Sequence, residues 1–327
     1  MNPAWRVASP NWVGSPRGKR ERFMSRSVSE ISIEKVRGHS SYTATDTLAV
    51  EEPLEIQLGY GPSTARKIKS ISVTMRTPGY DFELAAGFLM TEGVIRDAAE
   101  IQQLGYAPEG TQEIAEEQVN DANLLPYQPR RNIVRVELES DVAVSLAHLE
   151  RNFYTTSSCG ICGKASLLAL QSVCPPRARN EFSISAPVLY ELPLRLRESQ
   201  ALFSSTGGLH GVGLFNEAGQ LITMHEDVGR HNAVDKLMGA EFLIERVPLR
   251  NTLLLLSGRA SFELLQKALM GGVSMVAAVG APSSLAVHVA KRFDIALVGF
   301  LRDDHFNVYH GAEHISGFHS SNEEGPL

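Results

Sequence analysis

Apolar positions along this chain change their period as they go, and the changes mark its elements. Residues 68–76 (IKSISVTMR) alternate apolar and polar side chains, the period-two pattern of a strand half covered by a core. Residues 48–58 (LAVEEPLEIQL) predict an earlier strand interrupted at Pro53, and residues 132–138 (NIVRVEL) a later one. Between them Thr77-Pro78-Gly79-Tyr80-Asp81 reads as a turn. Residues 82–91 (FELAAGFLMT) read as a helix with Asp81 as its cap and Gly93 suited to its C-terminal end. Residues 96–130 are acidic, Gln-rich and poorly periodic, which predicts a variable loop region. This half reads as a small α+β domain.

The pattern then becomes more regular. Residues 211–215 and 220–224 predict paired strands about a turn at Asn216-Glu217-Ala218-Gly219, and a helix follows that Gly239 would terminate. Short apolar runs at 252–256, 274–279 and 295–299 alternate with helical stretches at 260–270 and 285–292. Such alternation implies parallel strands joined by right-handed crossovers. The expected fold class is therefore α/β with two domains, a small N-terminal α+β domain and a larger C-terminal domain built on a mostly parallel sheet. The expected units are a tail over 1–38, the first domain over 39–154, a cysteine loop and helix over 155–175, and the second domain over 176–327.

Composition narrows the class. The chain has 327 residues, 43% hydrophobic and 21% charged, ordinary values for a globular protein. Its net charge of −6 argues against a general nucleic-acid binder, and no apolar run approaches a membrane span. Three cysteines in this length make no disulfide framework, so a reducing, cytoplasmic setting is expected. The first 38 residues hold eight Lys or Arg against three Glu, a net of +5, so the remainder carries −11. With no apolar core this segment is no secretory signal and reads as a disordered tail.

Two of the cysteines stand together in Ser158-Cys159-Gly160-Ile161-Cys162-Gly163-Lys164, among small and polar residues. Residues 165–173 (ASLLALQSV) read as a helix, which puts the pair near a helix N-terminus. Unpaired amides and the helix dipole there favour a thiolate, the nucleophilic form of cysteine, and Lys164 adds a positive charge. The stretch reads as a reactive-sulfur loop. A zinc site completed by distant histidines, a thioredoxin-like dithiol and incidental cysteines are the alternatives. Cys174, followed by Pro175-Pro176, falls outside the loop.

Parallel sheets take ligands beyond the carboxyl ends of their strands. Three such ends are predicted, at Ser257-Gly258-Arg259, at Gly280-Ala281-Pro282-Ser283-Ser284 and at Phe300-Leu301-Arg302. Two lead into helices, glycines let backbone approach a ligand, and Arg259 and Arg302 can fork onto phosphate oxygens, as Ser257, Ser283 and Ser284 can donate to them. The pattern suits a nucleotide-bearing ligand, although short loops of any α/β fold carry such residues. The densest polar stretch is His225, Glu226, Asp227, Arg230, His231, Asn232 and Asp235, with His231 and Asp235 four apart on one helix face. It could hold a metal, serve as acid and base, orient a ligand, or tie helix to sheet by hydrogen bonds. The expectation is that it lines the ligand pocket without holding a metal. Thr206-Gly207-Gly208-Leu209-His210 is a glycine-lined loop that could face the ligand or simply turn tightly.

Taken in order, Met75-Arg76-Thr77-Pro78-Gly79, Gly87-Phe88-Leu89-Met90-Thr91-Glu92-Gly93, the Cys159 loop, Thr206-Gly207-Gly208-Leu209-His210, His225-Glu226-Asp227-Val228-Gly229-Arg230-His231-Asn232, Ser257-Gly258-Arg259-Ala260-Ser261 and Leu297-Val298-Gly299-Phe300 resemble the FdhD family of formate dehydrogenase accessory sulfurtransferases. The resemblance covers roughly residues 45–312. It implies a C-terminal domain similar to the cytidine-deaminase fold and a homodimer. It implies that persulfide sulfur passes from a cysteine desulfurase to the bis-guanine-dinucleotide form of the molybdenum cofactor, for formate dehydrogenase. The family's persulfide cysteine falls on Cys159, with Cys162 as its partner. Its cofactor-binding segment falls on Phe300, Leu301, Arg302, Asp303, Asp304 and His305, where some relatives carry a small basic stretch and this chain has two aspartates. A zinc deaminase, a CxxC oxidoreductase and a non-catalytic chaperone are the competing classes. Against a deaminase, the cysteine pair here precedes His225-Glu226, and that His and Glu are adjacent.

Overall fold

The structure, a computed structural model, describes residues 27–108, 132–144, 170, 174 and 180–318. Cys159, Cys162 and all of the helix expected over 165–173 except Leu170 lie outside the described residues.

The chain enters as a hairpin, β1 (Val28–Arg37) paired antiparallel with β2 (Ser40–Ala49) and turning at Gly38, whose φ is +62°. The expected tail over 1–38 therefore gives way to ordered strand from Val28; nearly every position of β1 is polar or exposed, so periodicity alone did not reveal it. The single strand expected over 48–58 is two strands, because β3 (Glu52–Tyr60) starts afresh after Ala49 and carries Pro53 near its start. With β4 (Lys67–Arg76), β5 (Ile101–Tyr106) and β6 (Ile133–Leu138) it forms a four-stranded sheet in the order β4-β3-β6-β5. β5 lies inside the region expected to be loop. It is an edge strand with few buried positions, so little apolar pattern was needed to build it.

Helix α1 (Asp81–Thr91) buries Leu84, Ala85 and Leu89 in the same core as Leu54, Ile56, Leu58, Val134 and Val136 of this sheet. Asp81 does not cap it. Tyr80 occupies the cap in the left-handed region at φ +57°, with no side-chain capping bond. The Asp81 carboxylate instead receives Arg76 Nε and a second guanidinium nitrogen, each at 3.0 Å, and the Tyr106 hydroxyl at 3.0 Å. Arg76 is only 1% exposed, and a guanidinium that deep requires a carboxylate partner more than a helix requires a cap.

The short β7 (Ile184–Ser185) is followed by α2 (Ala186–Ser199) and α3 (Ala201–Thr206), two helices that the sequence pattern did not suggest; α2 even contains Pro193. The second sheet uses β8 (His210–Phe215), β9 (Leu221–Asp227), β10 (Leu253–Leu256), β11 (Met275–Ala278), β12 (Ala296–Gly299) and β13 (Asn307–His310), in the order β13-β12-β11-β10-β8-β9. β10, β11 and β12 are parallel, joined by α5 (Phe262–Met270) and α6 (Ser284–Phe293). β8 against β10, β8 against β9 and β12 against β13 are antiparallel. The sheet is thus mixed rather than mostly parallel: crossover helices dictate direction only for the three inner strands, while a hairpin and a fold-back add the rest. β14 (Ile315–Ser316) returns to pair with β7.

The four-residue apolar strands are explained by two covered faces. Leu254, Leu256, Val276, Ala278 and Leu297 face one core, with α4 (Arg230–Leu243), α5 and α6. Leu253, Leu255, Met275, Ala277 and Val298 face the other, with Leu189, Leu192 and Leu196 of α2. The first core is continuous with that of the four-stranded sheet, because α1 and α4 pack backbone to backbone. A Cβ on Gly87 would lie 1.9 Å from the Asp235 carbonyl oxygen, and one on Gly239 1.8 Å from that of Glu83. Gly239 therefore does not end its helix, which continues to Leu243; it is where another helix touches.

Candidate functional site

Because β10, β11 and β12 are parallel, their C-terminal ends open on one edge of the sheet. The antiparallel register of β8 brings its first residue, His210, to the same edge, opposite Asp227 at the end of β9. The loops there are stitched by main chain. The Gly280 amide donates to the Gly258 carbonyl at 2.9 Å, Phe300 to Gly280 at 3.1 Å, Ser283 to Ala260 at 2.9 Å and Ser257 to Gly211 at 3.0 Å. A Cβ on Gly280 would come within 3.0 Å of Gly258 and Arg259 backbone atoms, so only glycine fits this layering without a shift.

The three predicted strand ends therefore do converge. Ser257 accepts the Gly211 amide on its hydroxyl at 2.9 Å, which leaves its proton for a further acceptor. The Ser283 hydroxyl oxygen accepts the Ala286 amide at 3.2 Å as the cap of α6. Arg259, Ser284 and Arg302 are exposed. Phe300 sits at φ +53° and is 38% exposed; a left-handed non-glycine residue costs about 1–2 kcal/mol, so the fold holds this ring outward against local preference. Leu301 is fully buried in the second core and presents no side-chain surface to a ligand. Arg302 donates its amide to the His305 carbonyl at 2.9 Å, closing a turn that contains Asp303 and Asp304. The Asp304 carboxylate meets His305 Nδ1 at 2.7 Å, and that bond holds its pKa below the usual value.

The polar stretch from His225 separates into two groups. Most of it ties the two halves of the molecule together. Asp227 receives Lys236 at 2.6 Å, the amides of Thr77 and Gly229 at 3.1 and 2.8 Å, and Asn232 at 3.1 Å. Asn232 donates also to the Met75 carbonyl at 2.7 Å, and Lys236 to that of Thr77 at 2.8 Å. Glu226 accepts the Leu202 and Phe203 amides at 3.1 and 2.8 Å, at the start of α3; burial raises its pKa against those bonds. Asp235 turns away from His231 to Lys267 at 2.9 Å and Thr91 at 2.8 Å, and Lys267 also reaches Glu92 at 3.1 Å. Burial pushes the Asp235 carboxyl up to about 6. His225, 5% exposed, packs edge-on against the Tyr80 ring at 4.6 Å, and burial, helped by Lys236, lowers its pKa to about 3.

Arg230 and His231 form the second group, at the edge itself. His231 is half buried with Nε2 4.0 Å from a Glu263 oxygen; burial, then Lys267 and Arg230, lower its pKa to about 4. Among the described residues no group of three or more His, Cys, Asp or Glu side chains could hold a metal, and no helix is long and apolar enough to cross a membrane. Cys174 is half buried against the first core and donates its amide to Leu170 at 2.9 Å, the spacing of a helical turn. The residue that the sequence singled out least at this edge is His210. Its one signal was position, a histidine two residues after Gly207-Gly208 and at the first residue of a strand.

Residues 49–316 match the FdhD/NarQ family. A sulfur carrier protein FdhD from Streptomyces coelicolor is 44% identical over 295 residues, which cover 90% of this chain and 97% of that one. One from Mycolicibacterium paratuberculosis is 46% identical over 271 residues, 83% of this chain and 92% of that one. One from Saccharolobus solfataricus is 32% identical over 288 residues, 88% and 98% of the two chains. The crystal structure of a putative formate dehydrogenase accessory protein from Desulfotalea psychrophila has the same fold, with a TM-score of 0.63 and 23% identity over 88% of this chain and 99% of that one.

Proposed function

The chain belongs to the FdhD/NarQ family, and from that premise we propose that it is a sulfurtransferase serving formate dehydrogenase. Its substrates are the persulfide of a cysteine desulfurase and the bis-guanine-dinucleotide form of the molybdenum cofactor. The Cys159 thiolate attacks the terminal sulfur of the desulfurase persulfide. A new S–S bond forms on Cys159, and the desulfurase cysteine leaves as thiolate. The carrier is then Cys159–S–SH. Attack by the Cys162 thiol on the Cys159 sulfur forms a Cys159–Cys162 disulfide and expels the terminal sulfur as hydrosulfide. The dithiol loses the two electrons that the sulfane sulfur gains, and the Cys162 proton leaves to solvent or to a base.

The observation that supports the cofactor half of this reading is the glycine-layered carboxyl edge. The exposed Arg259 and Arg302 lie in the loops at the strand ends, and Ser257, Ser283 and Ser284 lie in loops of the same edge. Such an edge suits the diphosphate of a guanine dinucleotide. The mixed charge of the 300–305 turn makes Arg302 its natural phosphate contact, and the outward ring of Phe300 can lie against a base. Working as a homodimer would place two such edges in one particle.

The test is intact-mass spectrometry after incubation with a cysteine desulfurase and cysteine. One added sulfur is expected on the wild type and on Cys174→Ser, and none on Cys159→Ala, which should also fail to activate formate dehydrogenase. Full activation by Cys159→Ala would overturn the assignment.

A further inference from the structure

Arg230 opens α4 with a half-buried guanidinium that makes no ion pair among the described residues, and its Nε is closed off from solvent without a hydrogen-bond partner. The carboxylate three residues before it is no counter-ion, since Asp227 already takes Lys236, Asn232 and two backbone amides. Charges withdrawn from water are kept paired, because an unpaired one loses its hydration without compensation. Across the same edge His210 lies against the backbone of Gly258. A Cβ at that position would be 3.4 Å from its Nδ1 and 3.6 Å from its Cε1. No described residue hydrogen-bonds either ring nitrogen, and the ring is half buried.

We propose that His210 and Arg230 form an anion subsite on the carboxyl edge that takes a phosphate of the nucleotide, and that His210 takes up a proton as the phosphate binds. This deepens the nucleotide reading given above and rests on it. The electrostatics follow from the surroundings of the imidazole. Burial first, and then the Arg230 charge, hold its pKa below the usual value, with Asp227 of β9 pulling the other way. In the loop after β10 it lies against the uncharged Gly258, which follows Ser257; Arg259, next along, is exposed. In the free protein the balance of these effects disfavours the imidazolium. A phosphate seated between Arg230 and His210 offsets the repulsion that keeps the proton off and favours the imidazolium. Linkage then sets the sign: binding removes protons from the buffer, and affinity rises as pH falls from 8 towards 6.

The experiment is calorimetric titration with GDP at neutral pH in two buffers of different ionisation enthalpy, which counts protons exchanged on binding. Phosphate itself ionises near pH 6, so the comparison with His210→Gln under identical conditions isolates the side chain. We expect net proton uptake by the wild type that His210→Gln loses, and a tenfold to hundredfold weaker complex for Arg230→Gln, while Arg302→Ala weakens binding without changing the proton count. If His210→Gln exchanges as many protons as wild type, the subsite is overturned and the nucleotide reading stands. If wild type does not bind GDP, the nucleotide reading falls. The same titration with inorganic pyrophosphate then decides the subsite: uptake lost in His210→Gln upholds it, and an unchanged count or absent binding overturns it. Should a variant fail to fold, imidazole NMR titration of the wild type with and without ligand answers directly. An imidazole pKa that rises on binding supports the proposal, and no rise among the histidines refutes it.

Discussion

His225 shows how one residue can govern acid stability without touching a ligand. Unfolded, its imidazole takes a proton near pH 6.5; folded, sealed against Tyr80 and close to Lys236, it stays neutral down to about pH 3. A depressed folded pKa means that its contribution is present above pH 6.5 and is lost as pH falls towards 3. Each proton bound only by the unfolded state costs about 1.4 kcal/mol per pH unit. His225→Gln should therefore flatten the decline of urea-unfolding stability between pH 6 and pH 4 by about that slope, whatever it does to stability at pH 7. An unchanged slope would place the acid sensitivity elsewhere. The sequence marked His225 as part of a polar cluster but not which of the cluster's residues are sealed in. That was decided by Tyr80, a turn residue 145 positions earlier whose left-handed backbone swings its ring onto His225.

Among the elements, the contact of α1 with α4 is the most exacting. Two glycines, Gly87 and Gly239, let the helix backbones meet where any side chain would strike a carbonyl oxygen closer than 2 Å. The cost of overpacking a tight contact is about 1–3 kcal/mol when neighbours can yield, and here the obstacle is backbone. Gly239→Ala should lower the urea-unfolding free energy by at least that much, although alanine is the better helix former by about 1 kcal/mol. The half-exposed neighbour Ala240→Gly serves as a control, expected to lose only the propensity difference. A neutral or stabilising Gly239→Ala would show that the helices do not pack so closely in solution. In the sequence both glycines looked like punctuation, because a glycine that ends a helix and one that receives another helix are identical in one dimension.

At the scale of the whole molecule, sulfur loading and nucleotide binding should be separable. The Cys159 loop lies outside the described residues, and Arg302 sits in the turn that follows β12. Arg302→Ala should weaken GDP binding tenfold to hundredfold, the worth of a charge-assisted hydrogen bond of about 1.5–3 kcal/mol, and leave desulfurase-dependent sulfur loading at wild-type level. Mass spectrometry and calorimetry on the same preparation check both halves. Loss of loading in this variant would mean that the two sites act as one.

What the sequence determined by itself was local. The parallel run of β10, β11 and β12 followed from short apolar strands separated by amphipathic helices, and the convergence of Ser257, Ser283 and Phe300 at one edge follows from that direction alone. The family was legible too, because its motifs reside in contiguous residue types. What only the tertiary structure decided was every relation between distant segments. It made Asp81 a partner for Arg76 instead of a cap, and added antiparallel strands at both margins of the sheet. It also assigned Asp227, Asn232 and Lys236 to holding the halves together, and brought His210 to the same edge as Arg230, which makes no ion pair among the described residues. Periodicity reports which face of an element is buried; which polar group is buried against which is set only when the elements meet.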